Sequence, residues 1–170
     1  MTEKTQAIRY LEAQGIPYEV LRYPESLRDA VEVAAAIGRP PESVFKTLVV
    51  LPEVSGKKPI LAMLPANAQL DLKRLAAAAG AKKLRMATQR EAEQLTGLQV
   101  GGISALALLN RRFEQFLDES AAEQGHICVS AGRRGIQIRI ATGELIRLTH
   151  AKSAGIATVP PDRNVTDGPR

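Results

Sequence analysis

Three short segments of the sequence combine residue types that could bind a carbonyl or an anion. The first is a lysine in an apolar run, Val44-Phe45-Lys46-Thr47-Leu48-Val49-Val50-Leu51. Alternate residues of a strand share a face, so Lys46 is predicted to point the same way as Val44 and Leu48. Such a lysine either extends its ammonium to water along its aliphatic stem or holds it at a pocket for an anionic or carbonyl ligand.

Two glycine-containing loops supply the other segments. Val100-Gly101-Gly102-Ile103-Ser104 places two glycines together, where backbone N–H groups can approach a ligand oxygen closely. Ser130-Ala131-Gly132-Arg133-Arg134-Gly135 leaves a strand in a loop of small residues with a basic tip, which suits a ribose or a phosphate. Each of these two glycine loops, taken alone, is explained as well by an ordinary turn.

The charge of the chain permits a polyanionic ligand. The 170 residues include 23 Lys and Arg against 18 Asp and Glu, a formal net charge of +5. Basic clusters on one face would steer nucleic acid towards a pocket, although scattered clusters are usually solvated surface. Aromatic residues make up only 4% of the chain, so a broad base-stacking platform is not expected. The clusters are Lys57-Lys58, Lys73-Arg74, Lys82-Lys83 with Arg85, Arg111-Arg112 and Arg133-Arg134.

The cysteine and histidine content argues against thiol and metal chemistry. Cys128 is the only cysteine, and its strand-like setting predicts a buried, inert thiol. His126 and His150 have no acidic or Cys partner at ligand spacing, so we expect no metal and no cofactor. No apolar run approaches the ~20 residues that span a bilayer. The N-terminus leads directly into an amphipathic helix, and we therefore expect a cytoplasmic protein.

Five helices are predicted to position these segments. Periodicity predicts a helix over residues 5–14, a second from an N-cap at Ser26 to residue 38, and a last one from residue 142. Asp71 is predicted to cap a helix over residues 72–79, and Thr88 to open a capping box for a helix that ends near residue 96. The last helix is expected to pack through Leu145, Ile146 and Leu148.

The predicted strands alternate with these helices. They cover about 17–22, 44–51, 59–65, 115–118, 127–130 and 135–140, and the second and third form a hairpin through residues 55–58. Because no regular strand-helix-strand repeat is present, the fold class is predicted to be α+β, with a mixed, mainly antiparallel sheet covered by helices. Residues 1–158 are predicted to form one domain, followed by a disordered tail over 159–170.

Six segments, in their order along the chain, resemble one protein family. They are Phe45-Lys46-Thr47-Leu48-Val49-Val50, Gln69-Leu70-Asp71-Leu72-Lys73, Gly80-Ala81-Lys82-Lys83, Thr96-Gly97, Val100-Gly101-Gly102-Ile103-Ser104 and Val129-Ser130-Ala131-Gly132-Arg133-Arg134-Gly135. Together they resemble the YbaK family of aminoacyl-tRNA deacylases, which is related to the editing domain of bacterial prolyl-tRNA synthetases, and specifically its Cys-tRNA(Pro) deacylase branch. The resemblance covers roughly residues 5–157.

The resemblance implies a trans-editing deacylase that removes Cys from the acceptor end of mischarged tRNA(Pro), beside prolyl-tRNA synthetase. The ammonium of Lys46 is expected to hold the substrate's carbonyl or terminal-adenosine oxygens, while backbone groups of Gly101 and Ser130 fix the ester. The substrate's own thiol is expected to attack its ester, so no side-chain nucleophile is needed. The resemblance also implies a set of substrate-binding residues, namely Tyr23, Thr47, Gly102, Ile103, Ser104, Ala131 and Gly132.

Two positions depart from the family pattern. Ala105 stands where the family has a proline, and Gln137 stands where relatives carry a pocket acid, so Gln137 cannot act as a base. Two other functions remain open on the sequence. One is a deacylase for another small amino acid, such as Ala, on tRNA(Pro), and the other is a non-catalytic module that binds tRNA, a nucleotide or the synthetase.

Overall fold

The computed structural model describes residues 4–159, which contain five α-helices and ten β-strands. In chain order they are α1 (Gln6–Ala13), β1 (Glu19–Arg22), α2 (Ala30–Ala36), β2 (Phe45–Pro52), β3 (Ile60–Pro65), β4 (Gln69–Leu70), α3 (Leu72–Ala79), β5 (Leu84–Met86), α4 (Gln89–Thr96), β6 (Glu114–Asp118), β7 (His126–Ser130), β8 (Ile136–Ala141), α5 (Thr142–Thr149), β9 (Lys152–Ala154) and β10 (Ala157–Thr158). Short 3-10 helices cover Pro41–Ser43, Leu106–Leu108 and Glu119–Glu123. Residues 160–170, nearly all of the predicted tail, lie outside the described residues.

The strands form one large and two small sheets. The large sheet has the order β5-β2-β3-β6-β9, the second is β1-β8-β7, and the third is β10-β4. The pairs β3-β6 and β6-β9 are parallel, and every other ladder in the described chain is antiparallel. The predicted α+β class with mixed, mainly antiparallel pairing is confirmed. The predicted hairpin is β2-β3, in which Lys46 lies opposite Leu64.

In the described chain a single backbone bridge joins the two larger sheets. An isolated parallel bridge joins Val44, at the start of β2, to Cys128 on β7. Beyond this bridge β2 continues into the large sheet and β7 into the three-stranded sheet, so the two strands diverge and leave a wedge between them. Two residues past the bridge lie Lys46 and Ser130, and Ser130 is paired with Gln137 of β8. Because paired residues share a face, Ser130 and Gln137 project to the same side, and Lys46 lies on the face of β2 that carries the bridged residue Val44.

Apolar burial on both sides of the large sheet explains the apolar run around Lys46. Val50 packs in a cluster with α3, whereas Val49 packs with α4 and the loop that contains Ile103. Val44 lies in a third cluster beneath α2, together with Cys128. Each face of β2 is therefore covered, and apolar residues occupy successive positions rather than alternate ones.

Two helix starts follow the predictions. Asp71 accepts hydrogen bonds from the backbone N–H groups of Lys73 and Arg74, and Thr88 forms the predicted capping box with Glu91. The Glu91 carboxylate also accepts two hydrogen bonds from the guanidinium of Arg85, which hold the pKa of that carboxyl at about 2. This contact ties α4 to β5 at the wall of the wedge.

Two details of the helix predictions are wrong. The N-cap of α2 is Asp29, whose carboxylate accepts from Val31 N–H at 2.9 Å, whereas Ser26 lies in the preceding turn. The carbonyl of Pro24 accepts from Leu27 N–H and closes this turn, so the helix begins about one turn later than predicted. In α5, Leu145 is fully buried but Ile146 is 36% exposed, because the neighbouring position on a helix points about 100° away.

Candidate active site

A cavity of about 310 Å³ occupies the wedge between β2 and β7. Its walls come from α2 and the segment before it, the edge of β2, the start of α4, the glycine loop after α4, and β7 with β8. This volume lies at the small end of the range for ligand sites. Six of the predicted site residues line it, namely Tyr23, Lys46, Thr47, Gly101, Ile103 and Ser130.

Lys46 brings a positive charge to this cavity without an ion-pair partner. Its ammonium donates a hydrogen bond to the carbonyl of Ala66 at 3.3 Å, and no carboxylate among residues 4–159 lies within 4.0 Å of it. Burial lowers the pKa of Lys46 below its ordinary 10.5, and the field of the Asp29 carboxylate partly opposes this shift. An ammonium has three donors, so at least two remain for a ligand.

The edge of β2 exposes backbone groups to the same cavity. The carbonyl of Val49 accepts from Ala87 N–H on the side opposite β3, at 3.0 Å. Backbone groups alternate in direction along an antiparallel strand, so Thr47 also directs its N–H and C=O away from β3. The β5 ladder ends at Val50, and no described strand pairs with Thr47 on this side. The open edge therefore offers one donor and one acceptor to a ligand.

Ser130 presents its backbone to the wedge from the other side. The N–H of Ala131 donates to Ile136 O on β8, so the N–H and C=O of Ser130 point away from β8. The Ser130 hydroxyl accepts from the N–H of Gly132 at 3.1 Å and closes the turn after β7. Its position fits the predicted role of a residue that holds a ligand through the backbone.

The two adjacent glycines have different surroundings. Gly101 adopts φ +93°, lines the cavity and has an N–H that no hydrogen bond within residues 4–159 occupies. Gly102 donates its N–H to Gln99 O at 2.8 Å and does not line the cavity. A Cβ at Gly102 would lie 2.8 Å from the backbone N of Arg134 and 2.9 Å from the carbonyl carbon of Arg133. Gly102 thus lets the glycine loop pack against the β7-β8 turn and so positions Gly101.

Three other predicted site residues lie behind the cavity wall. Ser104 is fully buried, and its hydroxyl accepts from Ala107 N–H at the start of a 3-10 helix. Ala131 is buried in the core cluster, and Gly132 adopts φ +99° in the turn after β7. Ala105, which replaces the family's proline, has φ −59°, a value that proline itself would adopt. The loop therefore keeps the proline-like geometry at this position.

Gln137 lines the cavity, as expected for a position where relatives carry a pocket acid, but the sequence reasoning did not predict that it binds the substrate. It is 6% exposed, and no hydrogen bond joins its side chain to another residue in the described part of the chain. The hydroxyl of Thr47 is also buried without a partner. Buried polar groups are rarely left unpaired, and of the four such side-chain atoms in the described residues, two belong to residues that line this cavity. The signal in the sequence was the β7-β8 hairpin, which places Gln137 directly opposite Ser130.

The cavity offers no side-chain nucleophile with a base. No Asp, Glu, His or Cys is among the described residues that line it. Cys128 is buried, as predicted, and burial raises the pKa of its thiol. Between residues 4 and 159, no group of three or more His, Cys, Asp or Glu side chains is placed to hold a metal ion. No helix in the same range is long and apolar enough to span a membrane.

Comparison with known proteins identifies a family and relatives that are named for aminoacyl-tRNA editing. Residues 24–148 match the aminoacyl-tRNA editing domain family. A protein of Enterococcus faecalis, "Putative Cys-tRNA(Pro)/Cys-tRNA(Cys) deacylase EbsC", is 37% identical over 158 residues, which are 92% of this chain and 94% of that protein. The solved structure of "a putative trans-editing enzyme for prolyl tRNA synthetase" has 28% identity and a TM-score of 0.77, with 92% of this chain and 99% of the other covered.

A hypothetical protein of known structure supports the fold. It has 24% identity and a TM-score of 0.79, and the match covers 88% of this chain and 97% of the other. The match to the editing domain extends over most of the chain. It includes five of the six predicted residues that line the cavity, and Tyr23 lies one residue before it. The chain therefore belongs to the aminoacyl-tRNA editing domain family.

Proposed function

We propose that this protein is a trans-editing deacylase that removes Cys from mischarged Cys-tRNA(Pro). The observation that carries the proposal is the half-buried ammonium of Lys46, which has no carboxylate partner among the described residues and belongs to a residue that lines the same cavity as Gly101. The family match and the 37% identical relative support the same reaction and substrate.

The ester carbonyl is proposed to bind between Lys46 and Gly101. When a nucleophile attacks, negative charge develops on the carbonyl oxygen, and an ammonium and a backbone N–H are suitable donors for it. The backbone groups of Thr47 and Ser130 hold the remainder of the aminoacyl-ribose on either side of the wedge. Because the cavity has a net positive charge before the reaction, it favours the charged transition state over the neutral ester.

The nucleophile is proposed to be the thiol of the substrate. Its sulfur forms a bond to the carbonyl carbon, the ester C–O bond breaks, and the thiol proton ends on the ribose oxygen. This route needs no protein nucleophile, in agreement with a cavity whose described lining has no Asp, Glu, His or Cys. An aminoacyl group without a thiol would instead need a positioned water.

The substrate is proposed to be the acceptor end of tRNA(Pro), and prolyl-tRNA synthetase is the proposed partner. The 28% identical structure is described by its link to that synthetase, which supports this assignment. The reaction would take place in the cytoplasm, where charged tRNA is used. Gln137 and the Thr47 hydroxyl, both unpaired, are proposed to contact the polar atoms of the amino acid.

Release of radiolabelled amino acid tests the proposal. Cys-tRNA(Pro), Ala-tRNA(Pro) and Pro-tRNA(Pro) are incubated with the wild-type protein and with Lys46→Ala. We expect turnover of the Cys ester only, and its loss in the variant. Turnover of the Ala ester would mean that the protein acts on small amino acids without a thiol and that water is the nucleophile. Binding of all three tRNAs without turnover would identify a non-catalytic module and contradict the proposal.

A further inference from the structure

A second cleft adjoins the cavity and contains three arginines. It measures about 290 Å³, and Tyr23 lines both the cavity and this cleft, so the two are neighbours. Its remaining walls come from the end of β1 and the β7-β8 turn. The charged side chains that line it are Arg22, Glu25, Arg133 and Arg134.

The folding of the β7-β8 turn brings these arginines together. Tyr23 N–H donates to Gly135 O at 3.0 Å, and this contact adds the turn to the end of β1. Gly135 adopts φ +92°, and a Cβ there would lie 3.2 Å from Tyr23 O, so the close approach favours glycine. Arg22, just before Tyr23, is thereby placed beside the basic tip of the turn.

The described residues that line the cleft include more basic than acidic side chains. Glu25 is the one acidic residue among the described residues that line it, and its carboxylate lies 3.8 Å from the guanidinium of Arg133. Arg134 donates to Val100 O at 2.7 Å and holds the glycine loop. Arg22 is exposed, and no hydrogen bond or ion pair joins its side chain to another residue within the described range. Among the described residues that line the cleft, three are arginines and one is a glutamate.

The rim of the cavity at α4 lacks this excess of basic residues. A shallow groove begins at Gln89, which also lines the cavity, and its only charged residues among those described are Arg90 and Glu93. Glu93 accepts a hydrogen bond from Val100 N–H, so its carboxylate stays at this rim. A polyanion that enters the cavity is therefore attracted through the arginine side and not through the α4 side.

We propose that the arginine cleft binds the phosphate that precedes the terminal adenosine of the charged tRNA. The inference rests on the proposed function, because it assumes that the aminoacyl-adenosine occupies the cavity. The terminal ribose then lies near Tyr23, and the RNA strand leaves along Arg22 and the β7-β8 turn. The cleft supplies affinity for any tRNA end, since phosphate contacts carry no base information.

Two substrates separate this subsite from the catalytic cavity. Cys-tRNA(Pro) carries the phosphate, whereas 3′-O-cysteinyl-adenosine carries the ester and the nucleoside without it. We expect Arg22→Gln to lower kcat/KM for the tRNA about two- to fivefold and to leave cysteinyl-adenosine unchanged. The slope of log kcat/KM against log salt should fall by about 0.7. Arg22→Lys should keep most of the wild-type kcat/KM for the tRNA. Arg90→Gln, at the α4 rim, should match the wild type.

Other outcomes would overturn the subsite. Equal losses on both substrates would place Arg22 in the cavity, and equal effects of Arg22→Gln and Arg90→Gln would indicate general surface charge. If the wild type cleaves neither substrate, the proposed function fails, and a binding measurement then tests the phosphate subsite by itself. For that case, fluorescence anisotropy with an RNA that ends in ACCA measures affinity. Weaker binding by Arg22→Gln only would uphold the subsite, and equal binding by all variants would exclude it.

Discussion

Lys46→Met should abolish most of the activity while leaving the fold intact. Methionine has a similar length and removes only the charge and the donors. The stability change is a balance of two small terms. The hydrogen bond to Ala66 O is long, at 3.3 Å, and its loss costs about 0.5–1.5 kcal/mol. Against this loss stands the relief of a half-buried ammonium without a carboxylate partner, so we expect a net change within about 1 kcal/mol of zero.

The effect on catalysis should be much larger than this. Loss of one oxyanion donor costs about 10²–10³ in kcat, or about 3–4 kcal/mol. Urea unfolding and single-turnover deacylation of Cys-tRNA(Pro) measure the two quantities on the same preparations. Lys73→Met, an exposed lysine on α3, is the matched control for general loss of positive charge. A loss of activity below about tenfold, or a destabilisation above about 2 kcal/mol, would refute the reasoning by showing a structural lysine.

The pH dependence gives Lys46 a second signature. Burial lowers its pKa in the folded state below the ordinary 10.5, so the unfolded chain binds more protons between the two values. The stability of the wild type relative to Lys46→Met should therefore increase as the pH rises through this window. Activity should decrease over the same window, because the ammonium is lost. Parallel changes of stability and activity would contradict the assignment.

Three further variants test the site and a buried polar contact elsewhere in the fold. Gly102→Ala should destabilise the protein by about 1–3 kcal/mol and lower its activity, because the new Cβ would lie 2.8 Å from a backbone atom. Its control is Gly143→Ala, which has open space around the new Cβ and should be neutral or stabilising in thermal unfolding. Gln137→Met should keep or raise the melting temperature, because it removes a buried unpaired amide, yet should raise KM for Cys-tRNA(Pro). Asp118→Ala should cost about 3 kcal/mol or more and speed hydrogen exchange at Ile156 N–H, which donates to the buried carboxylate at 3.0 Å.

Local features of the fold could be predicted because their signals lie within a few residues. The caps at Asp71 and Thr88 depend on a side chain and the next turn of backbone, and both were found. The same reasoning failed at Ser26, because Asp29 is an equally good cap three residues later. The choice between them was made by the turn from Pro24, which a propensity argument does not include.

The cavity could be predicted only through the family resemblance. It exists because one bridge, between Val44 and Cys128, joins two sheets that then diverge. No local signal in either segment encodes that pairing, since the two residues are remote in sequence. The resemblance identified six lining residues by position, but it treated Gln137 as the absence of an acid. The structure places this amide on the same face as Ser130, in the wall of the cavity that Lys46 also lines.

The neutral side chain at Gln137 fits the charge balance that the chemistry needs. A carboxylate at this position would lie in the same cavity as Lys46, favour its protonated form and offset its charge. It would then oppose the negative charge that develops on the ester carbonyl. With an amide, the cavity keeps the full field of the ammonium, and the amide still offers hydrogen bonds to the substrate. A site that uses the substrate's thiol has no need for an acidic base, and no carboxylate among the described residues that line the cavity offsets the charge of Lys46.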